Sequence, residues 1–381
     1  MEKSALVYVF LTISVVLLAI LVRNREYAVI GRGGYPFGGY QPRNREQARN
    51  FVAETMIYCL LAAVSACRIA VGNDYWVYRE NFKIIAQNRH VSSEIGFNYV
   101  VKALIWVFGY DNYLPIFGFF SLVTALFFVK ALHDQASEYA FSVFLLMTCG
   151  YYFNSLNSVR YYLALAMALY SMKYVLRREV LKFLLIIAVA ALFHKTVLIV
   201  IQAYLVAYVL AHGGIKKWHL IVGACFLASL LFGQRFYRFI LFKIYPYYEN
   251  THFDVGRISY ANVAKCLGVI ALCAIAYFLC EEKKKWMSDE ASRFYLILTV
   301  FGLIVFCCGS FVPEVSRIGY YMIAAQIFLI PKAIQTMKKG WMKEACKWGT
   351  ILAFTGYFVL MLKKMYDMDV RLLPYLNWIF N

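Results

Sequence analysis

The sequence predicts an all-α polytopic membrane protein, with about twelve transmembrane helices and a large first outer loop that carries surface or re-entrant helices. Three observations predict it. The 381 residues are 62% hydrophobic and only 16% charged, where a soluble domain is about a quarter charged. Apolar runs of helix-spanning length recur throughout the chain. The formal net charge of +18 is concentrated in short basic loops between those runs, as an orientation signal is, and points to a bilayer and not to nucleic acid.

Taken in order, spans are expected at 4–22, 52–70, 113–131, 139–154, 157–176, 180–194, 196–212, 218–233, 259–280, 292–310, 317–336 and 345–362, making residues 1–381 a single integral membrane domain. The first run has almost no basic segment before it and ends in Arg23 and Arg25, so it reads as a span and not as a cleaved signal. The loop 23–51 holds Arg23, Arg25, Arg32, Arg43, Arg45 and Arg49. Arg177, Arg178 and Lys182 follow, then Lys216-Lys217, Lys283–Lys285 and Lys338-Lys339. With all of these in the cytoplasm, both termini lie outside. That scheme holds on one condition. The run 94–109, EIGFNYVVKALIWVFG, is short and has Lys102 halfway along, so it is read as interfacial or re-entrant, and all of 71–112 is expected on the outer side.

The polar residues then sort to one face. The first outer loop carries Asp74, Arg79, Glu80 and Glu94. Arg160 opens one span in YYFNSLNSVRYYLALAMAL, and His194 closes the next in ALFHKT. A second outer loop, 234–258, brings Arg235, Arg238, Lys243, Tyr245, Tyr247, Tyr248, His252, Asp254 and Arg257. A third, 310–316, leads from Glu314 into Arg317. Ionisable groups at membrane depth are costly and are usually placed for function.

Arginine is permanently charged, bidentate and suited to phosphate. Arg160 and Arg317 both enter spans, where an anionic partner is expected. For Arg160 that is a ligand or an internal pair with Asp74 or Glu94; for Arg317 it is a ligand or Glu314, three residues away. His194 is either a hydrogen-bonded interfacial residue or a general base. Asp74 and Glu94 are either bases toward a sugar hydroxyl or ion-pair partners. Tyr75, Trp76 and Tyr78 suit stacking on sugars and equally suit an interfacial aromatic belt. The ten cysteines fall mostly inside apolar runs, with no Cys/His metal spacing, so no metal and no cofactor is expected.

Taken together, these residues resemble the EpsG-type polysaccharide polymerases. The motifs are Gly72-Asn73-Asp74-Tyr75 with Tyr78, Glu94-x-Gly96-Phe97, Asn157-x-x-Arg160, Phe193-His194-Lys195 and Arg317-x-x-Tyr320-Tyr321, in that order, over about residues 52–335. Tyr161 departs from the Gln expected after the arginine, and the basic insertion GRGGYPFGGYQPRNR is unusual. The resemblance implies a bacterial inner-membrane enzyme, similar in task to the Wzy polymerases, with its active site facing the periplasm or exterior. Its donor and acceptor would both be undecaprenyl-pyrophosphate-linked glycans. A chain-length regulator or other export-pathway proteins would be partners. Within it Asp74, Glu94 and His194 are the catalytic candidates. Arg160, Arg317 and Arg257 would bind pyrophosphate, and Tyr75, Tyr78, Asn157 and Tyr320 would stack on or position sugars. An acid in a large first outer loop also looks like the GT-C glycosyltransferases, by architectural analogy. Two rivals stand beside this reading: a single-sugar transferase using a polyprenyl-phosphate sugar, and a transporter of lipid-linked glycans. A transporter is expected to have a polar midplane and matching halves, whereas LLIIAVAA, LVAYVL and GVIALCAIA are apolar and no internal repeat is evident. An acyltransferase with His194 as base fits less well, because it would draw its donor from the cytoplasmic side.

Overall fold

The structure, a computed structural model, describes residues 3–23, 44–89, 91–109, 112–213, parts of 221–244, 260–280, 289–308, 315–366 and 371–379. The expected span 218–233 and the loops 23–51, 234–258 and 310–316 therefore fall wholly or partly outside the described residues. Two compact units are present, Met1–Lys195 with Lys347–Asn381, and Thr196–Cys346.

The first unit opens with α1 (Lys3–Ile20), whose Phe10, Ile13 and Leu17 are exposed on one stripe while Ala5, Tyr8, Val15 and Ala19 are fully buried. Both faces are apolar, so this helix has lipid on one side and protein on the other. Helix α2 (Arg45–Ala66) begins seven residues before the apolar run, because Asn44 caps it by accepting from the Gln47 N–H at 2.8 Å and Glu46 sits in its first turn. After it come a short strand β1 (Arg68–Ile69), α3 (Asp74–Ala86) and α4 (Ile95–Phe108), so the expected outer loop does contain two helices. Helix α4 has 14 residues, a rise of about 21 Å against a hydrocarbon core of about 30 Å.

Helix α5 (Leu114–Gln135) packs on α2, α4 and α8 (Val159–Leu176), and α8 packs in turn on α9 (Val180–Ala191). Nearly every side chain of α8 is buried, which makes it the central helix of the unit. The run 139–154 is not one helix. It breaks at Gly150 into α6 (Tyr139–Thr148) and α7 (Tyr151–Asn154), which leaves a turn, 155–158, ahead of α8. The C-terminal residues return to this unit. Strand β2 (Leu376–Asn377) pairs antiparallel with β1, a ladder that the sequence reading did not anticipate.

In the second unit, α10 (Ile199–Gly213), α11 (Gln234–Ile244), α12 (Tyr260–Leu279), α13 (Glu290–Cys308), α14 (Val315–Ile323) and α15 (Gln326–Gln335) follow in order. Helix α13 is central, touching α10, α12, α14 and α15. The Tyr204 hydroxyl donates to the Tyr321 carbonyl at 2.9 Å, and Asp289 pairs with Lys332. The expected span 317–336 is again two helices, α14 and α15. The final long helix is α16 (Trp341–Lys364).

Among the described residues, four helical segments are long and apolar enough to cross a membrane: 114–135, 195–213, 290–307 and 341–364. Five shorter apolar helices accompany them. The protein is an all-α membrane protein.

Candidate active site

Asp74 is the first residue of α3, and the turn before α8 holds it there. Its backbone N–H donates to Asn157 Oδ1 at 2.9 Å, and Ser158 Oγ donates to its Oδ2 at 2.8 Å. Gly72 lets the two segments meet. It has φ +92°, its N–H donates to the Arg371 carbonyl at 2.8 Å, and a Cβ there would lie 2.9 Å from both Asn157 Cα and the Leu156 carbonyl oxygen. Farther along α3, Tyr75 is buried and stacks on Phe117 at 4.8 Å, while Tyr78 lies 5.7 Å from Phe97. Arg79 packs its guanidinium over Trp76 and Tyr113, at 5.1 and 4.6 Å.

Glu94 precedes α4 in extended backbone, so its side chain faces back toward the start of α8. One oxygen pairs with Arg160 Nη1. The other lies 3.4 Å from His194 Nδ1 and 3.4 Å from the Lys195 backbone N–H. The register that brings Glu94 there is set at Gly96. The Gly96 and Phe97 N–H groups donate to the Leu192 carbonyl at 3.0 and 3.3 Å, and a Cβ on Gly96 would come within 2.6 Å of Leu192 Cβ. Burial opposes ionisation of Glu94, but the hydrogen bond from His194 and the Arg160 charge outweigh it and hold the carboxyl at about 2. Glu94 is therefore a carboxylate with both oxygens engaged.

Arg160, in the first turn of α8, lies with its guanidinium carbon 5.3 Å from the Phe97 ring centre and 6.0 Å from that of Tyr78. Burial pushes the Tyr78 phenol up, and the Arg160 charge pulls against it. Two buried polar atoms at this centre have no partner among the described residues: Arg160 Nε and His194 Nε2. Buried polar atoms are nearly always paired, so each such orphan calls for a ligand or a mechanism. The Tyr161 ring stands edge-on to His194 at 5.4 Å and fixes the imidazole plane. The residue that departs from the motif thus packs on the histidine.

The first unit thereby gathers Asp74, Tyr75, Tyr78, Glu94, Asn157, Arg160 and His194, which in sequence are spread over 74–194. Arg317 and Tyr320 belong to α14 of the second unit, where Tyr320 meets Phe306 at 5.1 Å. Arg257 lies outside the described residues. Sequence reasoning missed Ser158 and Tyr161 as members of the cluster. Ser158 stands just before a helix start, but its hydroxyl makes no cap bond there and reaches Asp74, 84 residues away in sequence, so its position carried no signal for this role.

The chemistry on offer is a fixed cation, an imidazole with one nitrogen unpartnered among the described residues, and a carboxylate at a helix start. The sequence profile of the EpsG family matches residues 52–377. The chain belongs to the EpsG family. The match takes in the whole Asp74–His194 cluster of this EpsG protein as well as Arg317 and Tyr320. No curated protein and no solved structure matches the chain. EpsG membership points to polysaccharide polymerisation by glycosyl transfer, with lipid-linked glycans as the general substrate class.

Proposed function

We propose that this EpsG protein polymerises undecaprenyl-pyrophosphate-linked oligosaccharide units into exopolysaccharide or capsule on the outer face of a bacterial inner membrane. The observation that carries the reading is the meeting of Arg160, Glu94 and His194, with two of their nitrogens buried and unpartnered among the described residues.

In the proposed step, a hydroxyl of one lipid-linked unit attacks the anomeric carbon of another. The new glycosidic C–O bond forms, and the anomeric C–O bond to phosphate breaks with its electron pair leaving on undecaprenyl pyrophosphate. Arg160 holds that pyrophosphate and offsets the charge building on it, the electrostatic role that is usually largest in such sites. His194 Nε2 takes the hydroxyl proton. Glu94 is bound on both oxygens, so it serves as the group that keeps Nδ1 protonated and the imidazole oriented, and not as the base. Asp74, with Ser158 on one oxygen, is left to accept from a sugar hydroxyl. Tyr75, Tyr78 and Asn157 shape the floor under it, and Arg317, Arg257 and Tyr320 remain the further candidates for binding pyrophosphate and sugar. About twelve spans, with 71–112 outside in a GT-C-like arrangement, complete the reading.

The test is the purified protein with a lipid-linked repeat unit. A ladder of repeats is the expected product. One added sugar would indicate the single-sugar transferase, and moved but unaltered lipid the transporter.

A further inference from the structure

Arg68 is the largest of the fully buried side chains, with 1% of its surface exposed. It comes two residues after the end of α2, where an arginine near a span terminus ordinarily extends its head to the headgroups and water. Here it turns inward. Its Nη1 donates to the Ser65 carbonyl and lies 3.2 Å from Ser65 Oγ and 3.3 Å from Ser121 Oγ; the guanidinium stacks on Phe117 at 4.8 Å. Nε has no partner among the described residues. The other groups within its electrostatic reach are the hydroxyls of Tyr8, Tyr75, Tyr78, Tyr152 and Tyr375. Among the described residues no carboxylate pairs with it.

Its bond to the Ser65 carbonyl caps the last turn of α2, but its hydroxyl and ring neighbours do not need the charge. Ser65 and Ser121 already hydrogen-bond each other at 2.7 Å, and Phe117 already stacks on Tyr75. A buried ion without a counter-ion is among the most destabilising features a protein can carry, and an apolar side chain of similar volume is often better tolerated at such a site. With no carboxylate against it among the described residues, the Arg68 charge is available to an anion from outside the chain. The direction is given by the aromatic rings. Phe117 touches both Tyr75 and Tyr78, and Tyr78 lies against Arg160, so two rings in succession, Phe117 and then Tyr78, link Arg68 to the Asp74–Arg160 cluster.

We infer that Arg68 is a positioning residue for a diphosphate: its buried charge acts through Phe117 and Tyr78 to hold the anionic head of a lipid-linked substrate beside Arg160. This rests on the pyrophosphate reading of the site above. In a low-dielectric interior a fixed cation acts across such rings without touching the anion.

The test uses full-length protein and the variants Arg68→Met, Arg68→Gln and Arg68→Lys. Melting temperature is measured with binding of undecaprenyl pyrophosphate and of inorganic pyrophosphate. The expected result is that Arg68→Met melts at or above the wild-type temperature yet binds both ligands at least about tenfold more weakly, while Arg68→Lys recovers most of the affinity. Should Arg68→Met not fold, Arg68→Gln is read in its place. Wild-type affinity in a folded neutral variant, failure of both neutral variants to fold, or a loss confined to the lipid ligand would each overturn this inference alone. Wild-type protein that binds neither ligand would overturn the pyrophosphate assignment itself, and this inference with it.

Discussion

Glu94 Oε1 and His194 Nδ1 lie 3.4 Å apart, which ties the residue before α4 to the residue three beyond the end of α9. The contact orients the imidazole, and Nε2 is buried with no partner among the described residues. His194→Ala is therefore expected to reduce ladder formation by about 10²–10⁴-fold. Glu94→Gln should give a smaller loss, because an amide oxygen still accepts from Nδ1. Polymer formation at fixed enzyme concentration measures both, and an active His194→Ala variant would remove the histidine from proton transfer.

The same carboxylate gives a pH signature in stability. Glu94 sits at about 2 in the folded protein, below its ordinary 4.5. Its contribution is present above pH 4.5 and is lost as pH falls through that window toward 2. Melting temperatures of wild type and Glu94→Gln should differ near neutrality and converge between pH 4.5 and 2. A gap that stays constant down to pH 2 would mean that Glu94 is not ionised by its partners.

Arg160→Lys keeps the charge but loses the planar fork and the Nε position. The expected loss in rate is about 10²-fold or more, with little change in melting temperature. Near-normal polymer from that variant would take Arg160 out of the pyrophosphate site.

Gly96→Ala should act without touching a functional group. The added methyl would meet Leu192 Cβ at 2.6 Å, so α4 must shift and carry Glu94 away from Arg160 and His194. A loss of about 1–3 kcal/mol in stability is expected, together with reduced activity, in a thermal melt paired with the ladder assay.

Whether α4 crosses the bilayer is open to direct labelling. Ser92→Cys and Asn112→Cys flank it, and both are expected to react with an impermeant maleimide added from outside. Reaction of one alone would mean that α4 spans, inverting the assigned orientation of everything that follows it.

The helical architecture was legible because lipid and protein both favour apolar side chains, so long apolar runs announce themselves whichever they face. Where helices break within such runs was not legible: at Gly150 and between Ile323 and Gln326, hydropathy is uninterrupted. The residues of the cluster were visible as polar groups expected on one face, yet their pairing was not. Arg160 had Asp74 and Glu94 as equal candidates until the Gly96–Leu192 contact set the register of α4. Arg68 escaped notice because an arginine near a span end has a ready explanation at the headgroup layer, and only its inward turn removes that explanation.

The C-terminal segment has a consequence for when the cluster can exist. Tyr375 donates to the Val64 carbonyl across 311 residues, β2 pairs with β1, and the Arg371 carbonyl accepts from Gly72, next to the loop that sets Asp74. Ribosomes add about 5–20 residues per second, so this brace reaches residues 64–72 about 15–60 s after they have been made. Throughout that interval the nascent chain has its arginines and carboxylates in the membrane without the clasp that aligns them. Only once residues 371–377 have been made can the loop before Asp74 take up the bonds that hold it in the finished fold.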